Sequence, residues 1–214
     1  MTQRFGAGLL LSLALALGTA ANAQDGAPTP PAGGTPLDLS AGEPVVKARP
    51  TSRDQVQPGQ MYIPETSKDW EIRCGRAPEG QTDPCQMYQL LRDASGTPTA
   101  EITLFRIQGA PFAAGAMIVT PLETLLTRAV TVVIDAGMPK RYPFKFCNTQ
   151  GCVAEVGFTQ EEVDAMKRGS GGKVVIVPVA AQRTNVELTL SLAGFTAAYD
   201  KLPPRIAVEN PPQQ

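Results

Sequence analysis

The sequence predicts an all-β domain, an antiparallel sandwich of two sheets with one or two short helices. Three observations carry this. Residues 69–74 and 186–192 alternate apolar and polar side chains with strict period two, the pattern of a half-buried strand in an antiparallel sheet. Short apolar, β-branched segments recur between them, punctuated by turn signals at Ser95-Gly96, Gln108-Gly109, Ala136-Gly137 and Gly171-Gly172. Helical periodicity is confined to two places near the C-terminus, so helices and strands do not alternate as a parallel α/β sheet requires.

In chain order, residues 1–23 read as a cleavable signal peptide. Arg4 supplies the positive start, Leu9 to Leu17 the apolar run, and Ala21-Asn22-Ala23 the small-x-small cleavage site before Gln24. The run is well short of the ~20 residues that span a bilayer, and no cysteine follows it to take a lipid. No later segment is long and apolar enough to cross a membrane, so no integral membrane segment is expected after cleavage. Residues 24–66 form a Pro/Gly-rich leader. Gln24 to Pro64 holds 8 Pro and 5 Gly in 41 residues and lacks the apolar side chains that offset the entropy of ordering. It reads as a flexible spacer. The folded domain is expected over 67–202, followed by a flexible Pro-rich tail over 203–214.

Within the domain, Trp70, Ile72 and Cys74 share one face of the first strand, which puts Trp70, the single tryptophan, in the core against a disulfide. Further strands are expected over 86–91, 100–107, 116–120, 130–134, 152–156 and 173–179. The continuous Val174-Val175-Ile176-Val177 run suits a strand covered on both faces. Tyr142, Phe144 and Phe146 form another apolar face, and Pro143, which cannot donate a ladder hydrogen bond, marks that strand as an edge. One helix is capped by Thr159 with Glu162 as capping-box partner and a Phe158–Val163 staple, and stopped by Gly169 in a left-handed conformation. A second runs from Phe195 to Leu202, with Phe195, Ala198, Tyr199 and Leu202 on one stripe and Pro203 ending it.

The chain has no histidine, which removes Ser-His-Asp and Cys-His catalysis and most metal chemistry. The charge is nearly balanced, 19 basic against 20 acidic residues. No basic block tracks a phosphate backbone, so nucleic acid and anionic lipid are poor partners on composition. Glu161, Glu162 and Asp164 lie close together, but in the first turn of a capped helix the dipole explains them without chemistry. Asp135 reads as a turn former and Lys140-Arg141-Tyr142 as a solvated turn. Gly169-Ser170-Gly171-Gly172 follows a helix, whereas phosphate loops precede one. No catalytic, cofactor or metal site is expected.

Four cysteines allow three pairings. The local one is favoured, Cys74 with Cys85 and Cys147 with Cys152, each worth ~2–3 kcal/mol of loop entropy. Neither spacing is the Cys-x-x-Cys of redox catalysts, and an even count in an exported chain fits structural disulfides.

The run Asp69-Trp70-Glu71-Ile72-Arg73-Cys74, followed by Cys85-Gln86-Met87-Tyr88-Gln89, resembles the invasion-associated locus B family of exported bacterial proteins. So do Val132-Val133-Ile134-Asp135-Ala136-Gly137, Pro143-Phe144-Lys145-Phe146-Cys147, Gly151-Cys152-Val153-Ala154 and the closing 190–198 segment, all in family order. The resemblance implies an immunoglobulin-like β-sandwich in the periplasm or envelope and supplies no catalytic residues. One stretch departs from it: residues 120–129, where a glycine-bearing loop is expected, read Thr-Pro-Leu-Glu-Thr-Leu-Leu-Thr-Arg-Ala. The expectation is an exported, non-enzymatic binding protein that meets a protein or envelope component through loops or a sheet edge. A carboxylate-using enzyme of cell-wall or glycan substrates is the alternative.

Overall fold

The computed structural model describes residues 48–109 and 111–206. The expected signal peptide and most of the leader and tail lie outside the described residues. Twelve strands form: β1 (Met61–Ser67), β2 (Trp70–Gly75), β3 (Cys85–Arg92), β4 (Pro98–Gln108), β5 (Ala114–Thr120), β6 (Val130–Ile134), β7 (Lys140–Tyr142), β8 (Phe144–Asn148), β9 (Gly151–Phe158), β10 (Gly171–Ile176), β11 (Val186–Ser191) and β12 (Arg205–Ile206). Among the described residues two α-helices accompany these twelve strands, α1 (Gln160–Arg168) and α2 (Phe195–Lys201). The fold is all-β and antiparallel throughout except for the short parallel β12–β4 pair.

The strands make one continuous path, β7-β6-β10-β11-β3-β4-β5-β9-β8, with β1 and β2 branching from β3. Its inner faces converge on a single core that includes Trp70, Ile72, Ile102, Leu104, Ile118, Ala154, Val132, Val174 and Leu188. The two ends of the path, β7 and β8, are neighbours in the chain, separated only by Pro143. Residues 140–148 are therefore one strand that leaves β6 at Tyr142 and joins β9 at Phe144. That change of partner nearly closes the sheet into a barrel.

The alternation at Trp70, Ile72 and Cys74 does point inward, all three being buried. Trp70 donates from Nε1 to the Ser191 carbonyl at 2.9 Å, and its ring meets Phe195 edge-on at 5.6 Å, which fastens α2 under the sheet. The α2 stripe of Phe195, Ala198, Tyr199 and Leu202 is buried. In α1, Thr159 accepts from the Glu162 N–H and Glu162 accepts from the Thr159 N–H, the reciprocal bonds of a capping box.

Four expectations need correction. Phe146 does not share a face with Tyr142 and Phe144. A bulge between Phe144 and Phe146 shifts the register against β9 and turns Phe146 outward, since one extra residue inverts the parity of every later side chain. Gly169 is extended, with φ −74° and ψ 164°; what requires glycine is space, because a Cβ there would lie 2.4 Å from Asp135 Oδ2. Val175 is only half-buried, so the run at 174–177 is not covered on both faces. The leader boundary at 66 and the tail boundary at 203 also move, since β1 pairs with β2 and Arg205–Ile206 with β4.

Residues 48–66 are held by polar contacts that composition cannot reveal. Asp83, in the loop after β2, accepts from Tyr62 Oη at 2.7 Å, from Arg53 Nε at 3.1 Å and from the Ala77 N–H at 2.8 Å. Burial and the Asp83 carboxylate push the Tyr62 hydroxyl up to about 12. Outside β1, the Ile63 N–H donates to the Pro50 carbonyl, so the preceding chain covers part of that strand's outer edge.

Candidate functional site

Both cysteine pairs join residues that face each other directly across two strands. Cys74 is bonded to Cys85 where β2 pairs with β3, and Cys147 to Cys152 where β8 pairs with β9. Cys74 and Cys152 are buried, whereas Cys147 is exposed. No free cysteine remains. In the turn between β8 and β9, the Asn148 side chain accepts from the Gln150 and Gly151 N–H groups. Gly151 is required because a Cβ would strike the Thr120 carbonyl.

The carboxylates do not converge. Asp135 has φ 46° and accepts from the Ser170 N–H, the Ser170 hydroxyl and the Gly171 N–H at 3.0–3.1 Å. Those bonds, the backbone one from Ser170 foremost, hold its carboxyl below the usual range. It is a turn acid that ties the end of β6 to the start of β10. Glu162 is occupied by its cap and by Lys140 at 2.6 Å, and Asp164 accepts from Gln160. Among the described residues no group of three or more Cys, Asp or Glu could hold a metal.

What the sheet does present is an open apolar face. On the outside of β3, β4, β5, β9 and β8, direct cross-strand neighbours form one row: Leu90, Glu101, Val119, Val153 and Phe146. Tyr88, Thr103, Met117 and Glu155 form the next. In the third, Phe105 pairs with Gly115 and Gly115 with Gly157. A Cβ at Gly115 would collide with the Phe105 ring, and one at Gly157 would meet Phe112 at 2.7 Å. The paired glycines thus make a flat floor on which two aromatic rings lie, the aromatic cover of strand glycines. Leu90, Phe112, Met117 and Phe146 are between 37% and 51% exposed on this face.

The rims of this face are polar and organised. Arg73 stacks on the Tyr88 ring at 3.2 Å and pairs with Glu71 at 2.7 Å, while Tyr88 donates to Glu101 at 3.0 Å. Arg205 lies over Phe105 at 4.5 Å. Depressions of about 530 and 520 Å³ flank Leu90, one reaching Glu71 and Arg92, the other Val119 and Gln150. The opposite layer is different: its outer face carries Lys173 paired with Glu187 at 2.6 Å, with Thr131 and Thr189 and only the half-buried Val133 and Val175 beside them. Sequence reasoning missed this face, although Val119 and Met117 stood in an expected strand, because the outward parity of Phe146 depends on the bulge.

Residues 70–203 match the profile of a family described as Invasion associated locus B (IalB) protein. The chain belongs to the invasion-associated locus B family. Two invasion protein B homologs of Brucella abortus, from strain 2308 and from biovar 1 strain 9-941, are each 27% identical over 145 residues, covering 67% of this chain and 81% of the relative. The crystal structure of invasion associated protein B from Bartonella henselae aligns with a TM-score of 0.53 at 21% identity, over 63% of this chain and 90% of that one, which shows a shared fold. The family region spans both disulfides and the open face; β1 and the Arg53–Tyr62 contacts to Asp83 lie ahead of it, though Asp83 itself is within it. Among the described residues no helix is long and apolar enough to cross a membrane.

Proposed function

We propose that this invasion-associated locus B protein is an exported, non-enzymatic binding module of the bacterial envelope, and that its open sheet face meets a protein or envelope component. The observation that carries the reading is the set of large apolar side chains exposed on this face, Leu90, Phe112, Met117 and Phe146. Apolar groups gathered on one face and rimmed by polar residues mark an interaction surface. Two disulfides support export, since such bonds persist in oxidising compartments, and residues 1–23 supply the signal. The commitment of Asp135 to a turn and of Glu162 to a cap supports binding rather than catalysis.

Site-specific photo-crosslinking in cells tests this. A photoreactive residue at Met117 or Phe146 should capture a discrete partner, and one at Lys173 on the opposite layer should not. Equal capture from both layers, or none from the open face, overturns the proposal. Cell fractionation with N-terminal sequencing checks export; a cytoplasmic protein beginning at Met1 would refute it.

A further inference from the structure

A second exposed apolar surface lies at one end of the rolled sheet, apart from the open face. The loop 121–129 runs beside the segment after β10. The Leu125 N–H donates to the Val177 carbonyl at 2.7 Å, the Val179 N–H donates to the Glu123 carbonyl at 2.8 Å, and Thr124 bridges to Pro178. Buried Thr124 donates to the Pro121 carbonyl at 2.7 Å, which fixes the turn. This frame turns Leu122, Leu126 and Val179 into solvent, 45–58% exposed. The three are aliphatic side chains on two laced loops and have no packing role that explains them.

A depression of about 540 Å³ adjoins this tip, lined by Thr127, Arg128, Thr131, Arg141, Val175 and Asn185 among others. Arg128 and Arg141 make no ion pair among the described residues. Both are exposed, and no carboxylate lines the depression. Composition, which holds no basic run, speaks against anionic lipid; the two arginines come from positions 128 and 141 and meet only in the fold. Between tip and depression sits Ala129, at φ 52° and ψ 162°, a region almost restricted to glycine. It ends the stretch in which a glycine-bearing loop was expected, directly ahead of β6.

We infer that this end of the molecule is a membrane-surface docking site, in which Leu122, Leu126 and Val179 enter the acyl boundary of a bilayer while Arg128 and Arg141 take anionic phospholipid headgroups. The charge of the depression selects an anion. The tip selects a lipid source for it, because side chains projecting from loops need a soft apolar layer rather than a shaped cavity. Burial of apolar surface and attraction to anionic lipid add together in such interfacial binding.

Sedimentation of the purified mature chain with vesicles tests it. Binding is expected to vesicles containing phosphatidylglycerol and not to phosphatidylcholine alone, weakening as salt rises. Arg128→Gln and Arg141→Gln should each lower partition about fivefold, and Leu122→Ser with Leu126→Ser about tenfold or more. Circular dichroism of every variant confirms an unchanged fold. Met117→Glu, on the open face, should leave vesicle binding intact, which separates this inference from the proposed function. Absent vesicle binding, partition indifferent to lipid charge, or variants that bind like the parent would each overturn it. So would inorganic phosphate or an acidic peptide binding at Arg128 without any affinity for vesicles.

Discussion

At β3 the sheet passes from one layer to the other through a shared strand edge, whereas at Pro143 it passes through one strand that changes partners. Along the first edge, Cys85 to Tyr88 pair with β2 and Arg92 pairs with β11. Residues 89–91 lie between the two ladders. Gln89 bridges that gap from within: its amide donates to the Ser191 carbonyl at 3.0 Å and accepts from the Ser191 N–H at 2.8 Å. A buried side chain thus does what backbone would do in a regular sheet, and it does so between Met87 and Leu91, both fully buried. The Pro143 corner is exposed and uses a residue with no N–H, a bulge and an exposed disulfide half. One transition is specified by side chains in the core, the other by backbone and covalent chemistry at the surface, and the two should fail differently.

The widest difference should come from Trp70→Ala, which removes the indole that bonds Ser191 and seats Phe195. Deleting a fully buried tryptophan costs about 3–5 kcal/mol, and chemical denaturation should show that loss. A cost near 1 kcal/mol would mean the first corner is not held by its core. The disulfides come next. The loops closed by Cys74–Cys85 and Cys147–Cys152 have sequence separations of 11 and 5, which correspond to about 3 and about 2 kcal/mol of chain entropy. Paired Cys→Ala variants should therefore rank in that order by denaturant midpoint, and the reverse order would break the comparison.

Gln89→Leu follows, at about 1–3 kcal/mol, the cost of leaving the half-buried Ser191 N–H without its acceptor. Replacing a buried polar residue by an apolar one would otherwise be neutral, so a stabilised Gln89→Leu variant would show that the amide bridge is dispensable. A pH experiment probes the loop that leads into β3. The Tyr62 hydroxyl, the Ala77 N–H and Arg53 hold the Asp83 carboxyl below its ordinary value. A carboxylate depressed in the folded state contributes stability above the ordinary value of about 4 and loses it as pH falls through the lower folded one. The stability advantage of the parent over Asp83→Asn should be full at pH 6 and shrink steadily below about pH 4. A gap independent of pH would mean that Asp83 acts through shape rather than charge.

What the sequence made legible follows from the range of the interactions. The Trp70 face, the α1 cap and the α2 stripe are local patterns, and each is read within a few residues. The anchoring of residues 48–66 was invisible because it depends on Asp83, some 20–30 residues away, reaching back to Arg53 and Tyr62; proline and glycine content spoke louder than three polar side chains. Phe146 was misread because a bulge has no reliable signature in an alternating run. The Gln89 bridge stood as an ordinary polar residue in a strand, and only the split edge of β3 gives it a role. The open face and the arginine depression are assembled across strands distant in the chain, so neither has a motif.

Pro143→Ala should give the smallest effect and the most specific one. Tyr142 keeps its pairing with Val130 and Phe144 its pairing with Ala154, so both ladders survive the substitution. What changes is the freedom of the unfolded chain, which alanine increases by about 0.4–1 kcal/mol when the native conformation suits proline. The denaturant midpoint should fall by that amount with an unchanged slope, since the surface exposed on unfolding is the same. Alanine also restores an N–H at the start of β8, an edge strand otherwise blunted by proline, Lys145 and a bulge. Concentration-dependent light scattering should therefore rise in the variant before its stability falls much. If Pro143→Ala instead costs as much as removing Cys147–Cys152, the partner switch depends on the proline ring itself, and the second corner is specified by a side chain after all.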